Sequence, residues 1–346
     1  MSSNAKSNTK AAIGRMRNAA GSATIPPECG AIVALKVIDD RMFMLSKRCL
    51  TSGVFADHID PDRTNPNLPQ IIQQKELEFG ADHHFVRKTA GAAFELADAT
   101  YLPEIVSPDA VLRMSLEVSS SLASVVEVAN DLRTHQDQMR EASKAQKLSA
   151  AYVPRTPNLT GKVRQSLAAL RDVEIAIKKL TALFFPKDSN NEPWDAKFLQ
   201  AMMEKHGENA ELDAWKNAAW EVLAGVANHR HAMIHPNENK CVVIRDYELQ
   251  ADGSLLAPTI EISHETSAVP RRDVVQFLET QVGDLAEVFE AMLGYVCDLK
   301  VRTVLPQFAS HVVALPNGET QRGSHMVWRT VAKKGVPFGG PKANAE

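Results

Sequence analysis

The chain has 346 residues, 44% hydrophobic and 23% charged, with a formal net charge of −3. That apolar content supplies one large core or two modest ones, and a charge this close to neutral excludes a generic nucleic-acid coat, so any RNA contact must be local. No run approaches the roughly 18 apolar residues of a membrane-spanning helix. The first residues lack the apolar block of a secretory signal, and Cys29, Cys49, Cys241 and Cys297 stand far apart without a CxxC pair, as expected of reduced thiols in a cytoplasmic protein.

In chain order, residues 1–25 read as a disordered basic tail, because Lys6, Lys10, Arg15 and Arg17 stand among small polar residues with no acid before residue 22. Pro26 and Pro27 open an N-terminal extension, 26–104, of α or α+β class. Within it 31–49 packs as strand or helix, periodicity leaving the two open; 57–68 is loop by composition; and 71–101 is expected to be helical, with Ala90, Ala93, Phe94 and Leu96 on one side. His83 and His84 diverge by about 100° on a helix, which points to surface contacts rather than a metal site.

Ser107, Pro108 and Asp109 form a helix start, with a capping serine, proline in the first turn and an acid behind it. The helix expected from there, 109–147, is followed by a proline break and a second over 160–185, whose apolar residues Val163, Leu167, Leu170, Val173, Ile177 and Leu180 keep helical spacing. Between Arg133 and Leu180 ten Lys and Arg face four acids, an excess that steers a polyanion only if one helix face collects it; charges scattered around the cylinders are the alternative. A short helix over 194–206 precedes a strongly apolar one over 211–235. Then come two strands, 241–249 and 255–263, bridged by an Asp252-Gly253 turn, and a long helix over 269–301. Beyond residue 306 lies an extension with a Pro316-Asn317-Gly318 turn and a loose tail over 335–346.

Chemistry is concentrated at the end of the 211–235 helix, where Asn228-His229-Arg230-His231-Ala232-Met233-Ile234-His235-Pro236 holds three of the chain's 11 histidines. Leu212, Trp215, Ala219, Val222, Val226 and Met233 recur every three or four residues, and a second apolar set broadens the stripe until burial on most sides is expected. Pro236 pushes His235 out of the helical region, so His235 falls at or past the last turn. Ideal geometry separates Arg230 from His235 by about 140°.

Arg230, the polar His231 directly after it, and His235 after three further residues resemble the signature of the HEPN superfamily, whose members are small helical bundles. The resemblance covers residues 105–305 and implies a mainly α fold: a HEPN-like helical bundle with a β-hairpin between the last two long helices, beside the N-terminal extension and a 306–346 extension. Many HEPN proteins are metal-independent endoribonucleases of toxin and antiviral systems that act as homodimers; others bind RNA or nucleotides without cutting. The resemblance thus implies an RNA substrate, a homodimer and an antitoxin or regulatory partner, with no membrane association and no cofactor. On this pattern His235 is the acid/base, Arg230 the phosphate clamp and His231 the polar helper. Histidine changes protonation near neutrality and arginine's planar fork matches phosphate, so the residue types suit 2′-hydroxyl attack on a phosphodiester. The tyrosine that follows the motif histidine by two residues in toxins silenced by nucleotidyltransferases is replaced here by Asn237, which puts that form of regulation in doubt.

Other readings stand beside this one. Arg230 and His235 could serve only to complement the helix dipole, and His229, on the apolar stripe, reads as a packed structural histidine. A zinc site from His229, His231 and His235 lacks a neighbouring Cys or carboxylate at a familiar spacing, and His229 points about 160° from His231. A glycine-rich phosphate loop, a GxSxG elbow, a paired-cysteine metal site and internal repeats are all missing, which removes P-loop hydrolases, α/β-hydrolases and solenoids. Two functions remain: a HEPN-type endoribonuclease, and a non-catalytic helical module that binds RNA, nucleotide or a protein partner.

Overall fold

The computed structural model describes residues 12–18, 25–144, 153–189, 191–316 and 319–333. It is 50% helix and 21% strand with four small antiparallel sheets, so the expected mainly α bundle is overturned in favour of a mixed α/β protein. The chain divides into two compact units. One takes the chain up to Arg113 and again from Lys300 onward; the other is Met114–Leu299.

The first unit begins with a helix, α1 (12–18), inside the stretch expected to be a disordered tail. Ile13 is buried, and the Arg17 side chain, 1% exposed, is clamped by carboxylates of Asp57 at 3.0 Å and Asp60 at 2.8 Å. Its guanidinium also donates to the Asp60 and Asn65 carbonyls, satisfying a charge that could not otherwise be buried. Asp60 is itself held far below the usual carboxylate range by backbone N–H donors from Asn65 and Thr64 and by the guanidinium.

A 3₁₀ turn, Pro27–Cys29, leads into a meander of β1 (Ile32–Ile38), β2 (Arg41–Ser46), β3 (Leu50–Phe55) and β4 (Ile71–Leu77), each paired to the next. A short helix α2 (Ala56–Ile59) lies between β3 and β4. The 31–49 stretch is therefore two strands, with Met44 and Leu45 buried. The front of the expected 71–101 helix is instead β4: Ile71 and Ile72 are β-branched, and β3 offers them a paired edge at Phe55 and Val54. A Cβ on Gly53 would lie 2.6 Å from the Ile71 side chain, so this pairing needs a glycine beneath it.

Cys29 and Cys49 form a disulfide, with Cα atoms 5.0 Å apart, which overturns the reduced-thiol expectation for that pair; Cys241 and Cys297 are free. The helical run from His84 to Leu96 comprises α3 (His84–Val86), a π-helical turn Arg87–Gly91 and α4 (Ala92–Leu96). A C-terminal hairpin, β10 (Phe308–Ala314) with β11 (Met326–Ala332), belongs to this unit. Its Trp328 indole donates to the Leu96 carbonyl at 3.1 Å and stacks on Tyr101. Residues 317 and 318 of the expected turn, and the 335–346 tail, lie outside the described residues.

Helix α5 (Pro108–Lys144) starts as expected, the Ser107 hydroxyl accepting from the Ala110 N–H at 3.3 Å. In the second unit the rest of α5, α6 (Leu159–Phe184), α7 (Ala196–His206), α8 (Ala210–Ile234) and α9 (Val274–Leu299) enclose an apolar core. Leu122, Leu167, Ile177, Phe198, Leu285 and Phe289 are fully buried in it. The hairpin after α8 is a three-stranded sheet ordered β5 (Cys241–Arg245), β8 (Thr259–Ser263), β9 (Val269–Asp273). The small pair β6 (Glu248–Leu249) and β7 (Leu255–Leu256) closes its tip over Asp252-Gly253.

The last long helix thus starts at Val274 rather than residue 269. Pro270 keeps Val269 extended, and the Asp273 carboxylate caps the helix by accepting from the Gln276 N–H at 3.0 Å.

Candidate functional site

Helix α8 opens on Asn209, whose side chain accepts from the Glu211 N–H at 2.9 Å, with Glu211 and Asp213 in the first turn against the positive end of the dipole. Its buried residues, Ala219, Leu223, Gly225, Val226, His229 and Ala232, form one face. The broader burial inferred from the doubled stripe does not occur: Ile234 is 42% exposed. His231 and His235 therefore reach solvent, and Arg230 is half-buried.

His235 is the C-cap at φ −125°, outside the helix, with its N–H donating to the His231 carbonyl at 2.9 Å. The chain then reverses over four residues. The Asn237 N–H donates to the Lys240 carbonyl at 2.8 Å, and the Asn237 side-chain oxygen accepts from the N–H groups of Asn239 at 3.0 Å and Lys240 at 3.1 Å. This turn carries Lys240 back over the last turn of α8, where its Nζ lies 3.3 Å from both ring nitrogens of His231. The His231 and His235 rings meet edge to face with centroids 5.3 Å apart.

The Lys240 ammonium, then partial burial, His235 and His264 all push the His231 pKa below its ordinary value. Its uncharged form is therefore favoured near neutral pH.

Of the expected residues, His231 and His235 are brought together. Arg230 is not joined to either: among the described residues its guanidinium has no hydrogen bond or ion pair. His229 is separate from this group. It is buried, its Nε2–H donates to the Ser267 carbonyl at 3.0 Å, its ring lies 5.9 Å from that of Phe277, and burial holds its pKa low. Asn228 donates to the Ser267 hydroxyl at 3.0 Å, so the β8–β9 loop buttresses the helix end and places His264 near His231. A cleft of about 530 Å³ opens beside it, lined in part by Asn239, Glu261, His264, Glu265 and Pro270.

Lys240 and His264 were not identified from the sequence. The one available signal was Asn237-Glu238-Asn239 behind a proline, a combination that favours a turn in which the asparagine side chain bonds its own backbone. Among the described residues, no group of three or more His, Cys, Asp or Glu is placed to hold a metal ion.

Five of the ten cations in the 133–180 stretch pair with acids, some of them outside that window. Arg133 pairs with Glu279, Lys162 with Asp131, Arg140 with Asp137, and both Arg171 and Lys178 with the fully buried Glu174. No helix among the described residues is long and apolar enough to cross a membrane.

The chain matches no protein-family model, no curated protein and no solved structure. The fold and the site thus define it as a two-unit α/β protein with a cationic, imidazole-bearing surface site at one helix end.

Proposed function

We propose that the chain is a metal-independent RNA endonuclease of the HEPN kind, acting as a homodimer in a toxin or phage-defence setting under an antitoxin or other regulatory partner. The observation that carries this reading is the pair of exposed imidazoles, His231 and His235, with ring centroids 5.3 Å apart and the Lys240 ammonium against His231. In this reading the uncharged His231 accepts the 2′-hydroxyl proton as O2′ bonds to phosphorus. The P–O5′ bond breaks as His235 gives a proton to the departing 5′ oxygen. The products are a 2′,3′-cyclic phosphate and a 5′-hydroxyl. Arg230 neutralises charge on the phosphoryl oxygens, where a permanent, planar cation does most.

The test is incubation of the purified protein with single-stranded RNA in EDTA. Cleavage is expected, with a loss of at least 100-fold in His235→Ala and a comparable loss in Arg230→Ala, while both variants keep the wild-type melting temperature. RNA left intact at high protein concentration overturns the nuclease reading. The Lys240 ammonium beside exposed imidazoles also supports a second reading, a module that binds RNA or nucleotide without cutting it; in that case the same variants weaken binding and no product forms.

A further inference from the structure

We propose that Lys240, which lies outside the arginine–polar–histidine spacing, is a phosphate-contacting residue of this site and the group that positions and tunes His231. The proposal rests on the site reading above and extends it: the ligand class is the phosphodiester of a single-stranded polynucleotide.

Three observations converge on Lys240. Its Nζ sits 3.3 Å from each ring nitrogen of His231, so the ammonium lies against the imidazole. A solvated lysine would wander, but this one is delivered by a turn that Asn237 fixes through both its backbone and its side chain. Among the described residues no acidic side chain pairs with Lys240, whereas Lys162 and Lys178 of α6 pair with Asp131 and Glu174. An ammonium that no carboxylate pairs with attracts an anion.

The groups that bear on His231 come from three places: Lys240 from the turn, His235 from the helix end and His264 from the β8–β9 loop. The Lys240 ammonium against the ring favours the uncharged form of His231. It also offers three N–H donors to a phosphate beside it.

The experiment uses the full-length protein with Lys240→Gln and Lys240→Arg. The His231 ring is titrated by NMR, and binding of a single-stranded DNA oligomer, which has no 2′-hydroxyl to be attacked, is measured across a salt series. In Lys240→Gln the His231 midpoint should rise toward 6.5. The slope of log affinity against log salt should fall by about 0.7, the share of one phosphate contact on a single strand. Lys240→Arg should restore both. An unchanged His231 titration, an unchanged salt slope, or no binding of the oligomer by the wild type overturns the proposal. Failure of the nuclease reading alone looks different: RNA stays intact while the Lys240 effects on titration and oligomer binding persist.

Discussion

At the scale of single residues, the site depends on Asn237 as much as on any charged group. Its side-chain oxygen accepts the Asn239 N–H and shares the Lys240 N–H with the Asn237 carbonyl, which together hold the turn closed. Asn237→Ala should therefore cost about 1 kcal/mol of stability and release Lys240 from His231. NMR of the His231 ring checks the second effect: the midpoint should move toward its ordinary value even though no charge has been removed. A midpoint that stays where it is would mean that Lys240 needs no help from the turn. The nearness of His231 and His235 was legible because they stand four residues apart at the end of one helix, whereas Arg230 joins neither. Lys240 lies beyond a proline, and nothing in its local context indicates that the chain doubles back. The same holds for Arg17, read as tail charge, whose partner Asp57 is 40 residues away.

Among elements, long helices were the readable part. α6 and α8 run for 26 and 25 residues, enough turns for the 3.6-residue repeat to stand out, and their ends carry ordinary caps or breakers. β4 and β9 were assigned to helices because strands of 7 and 5 residues exist through pairing with β3 and β8, an interaction that no local pattern encodes. The opposite error, excessive burial of α8, arose from counting apolar residues without knowing how many neighbours pack on the helix. One of those neighbours, the β8–β9 loop, holds α8 through His229, and this gives the contact a pH dependence. The unfolded imidazole takes up a proton near 6.5 while the folded one, kept low by burial, resists it. Below 6.5 the unfolded state therefore binds more protons and stability falls; above it the contribution is complete. Thermal melts should show the midpoint dropping between about pH 7.5 and pH 5.5, and His229→Gln should flatten that dependence. A dependence equally steep in the variant would place its origin elsewhere.

For the whole molecule, the disulfide is a feature of one unit only. Cys29 and Cys49 close a loop with a sequence separation of 20, for which chain entropy gives about 3 kcal/mol, whereas the free Cys241 and Cys297 lie in the other unit. Reductant, or Cys49→Ser, should lower the unfolding transition of the first unit in calorimetry and leave that of Met114–Leu299 in place. Equal shifts in both, or none in either, would contradict this. The boundary between the units was not readable from composition, because it falls inside α5, where the helical pattern continues without a break.

The first unit is built from both ends of the chain, and this has a consequence for biosynthesis. Trp328, which stacks on Tyr101 and bonds the Leu96 carbonyl, leaves the ribosome more than two hundred residues after the strands and helices it completes. The internal unit is fully translated before then and can fold first. Until the final hairpin is made, the opening third of the polypeptide must wait with part of its interior uncovered, the interval in which a chaperone would find it.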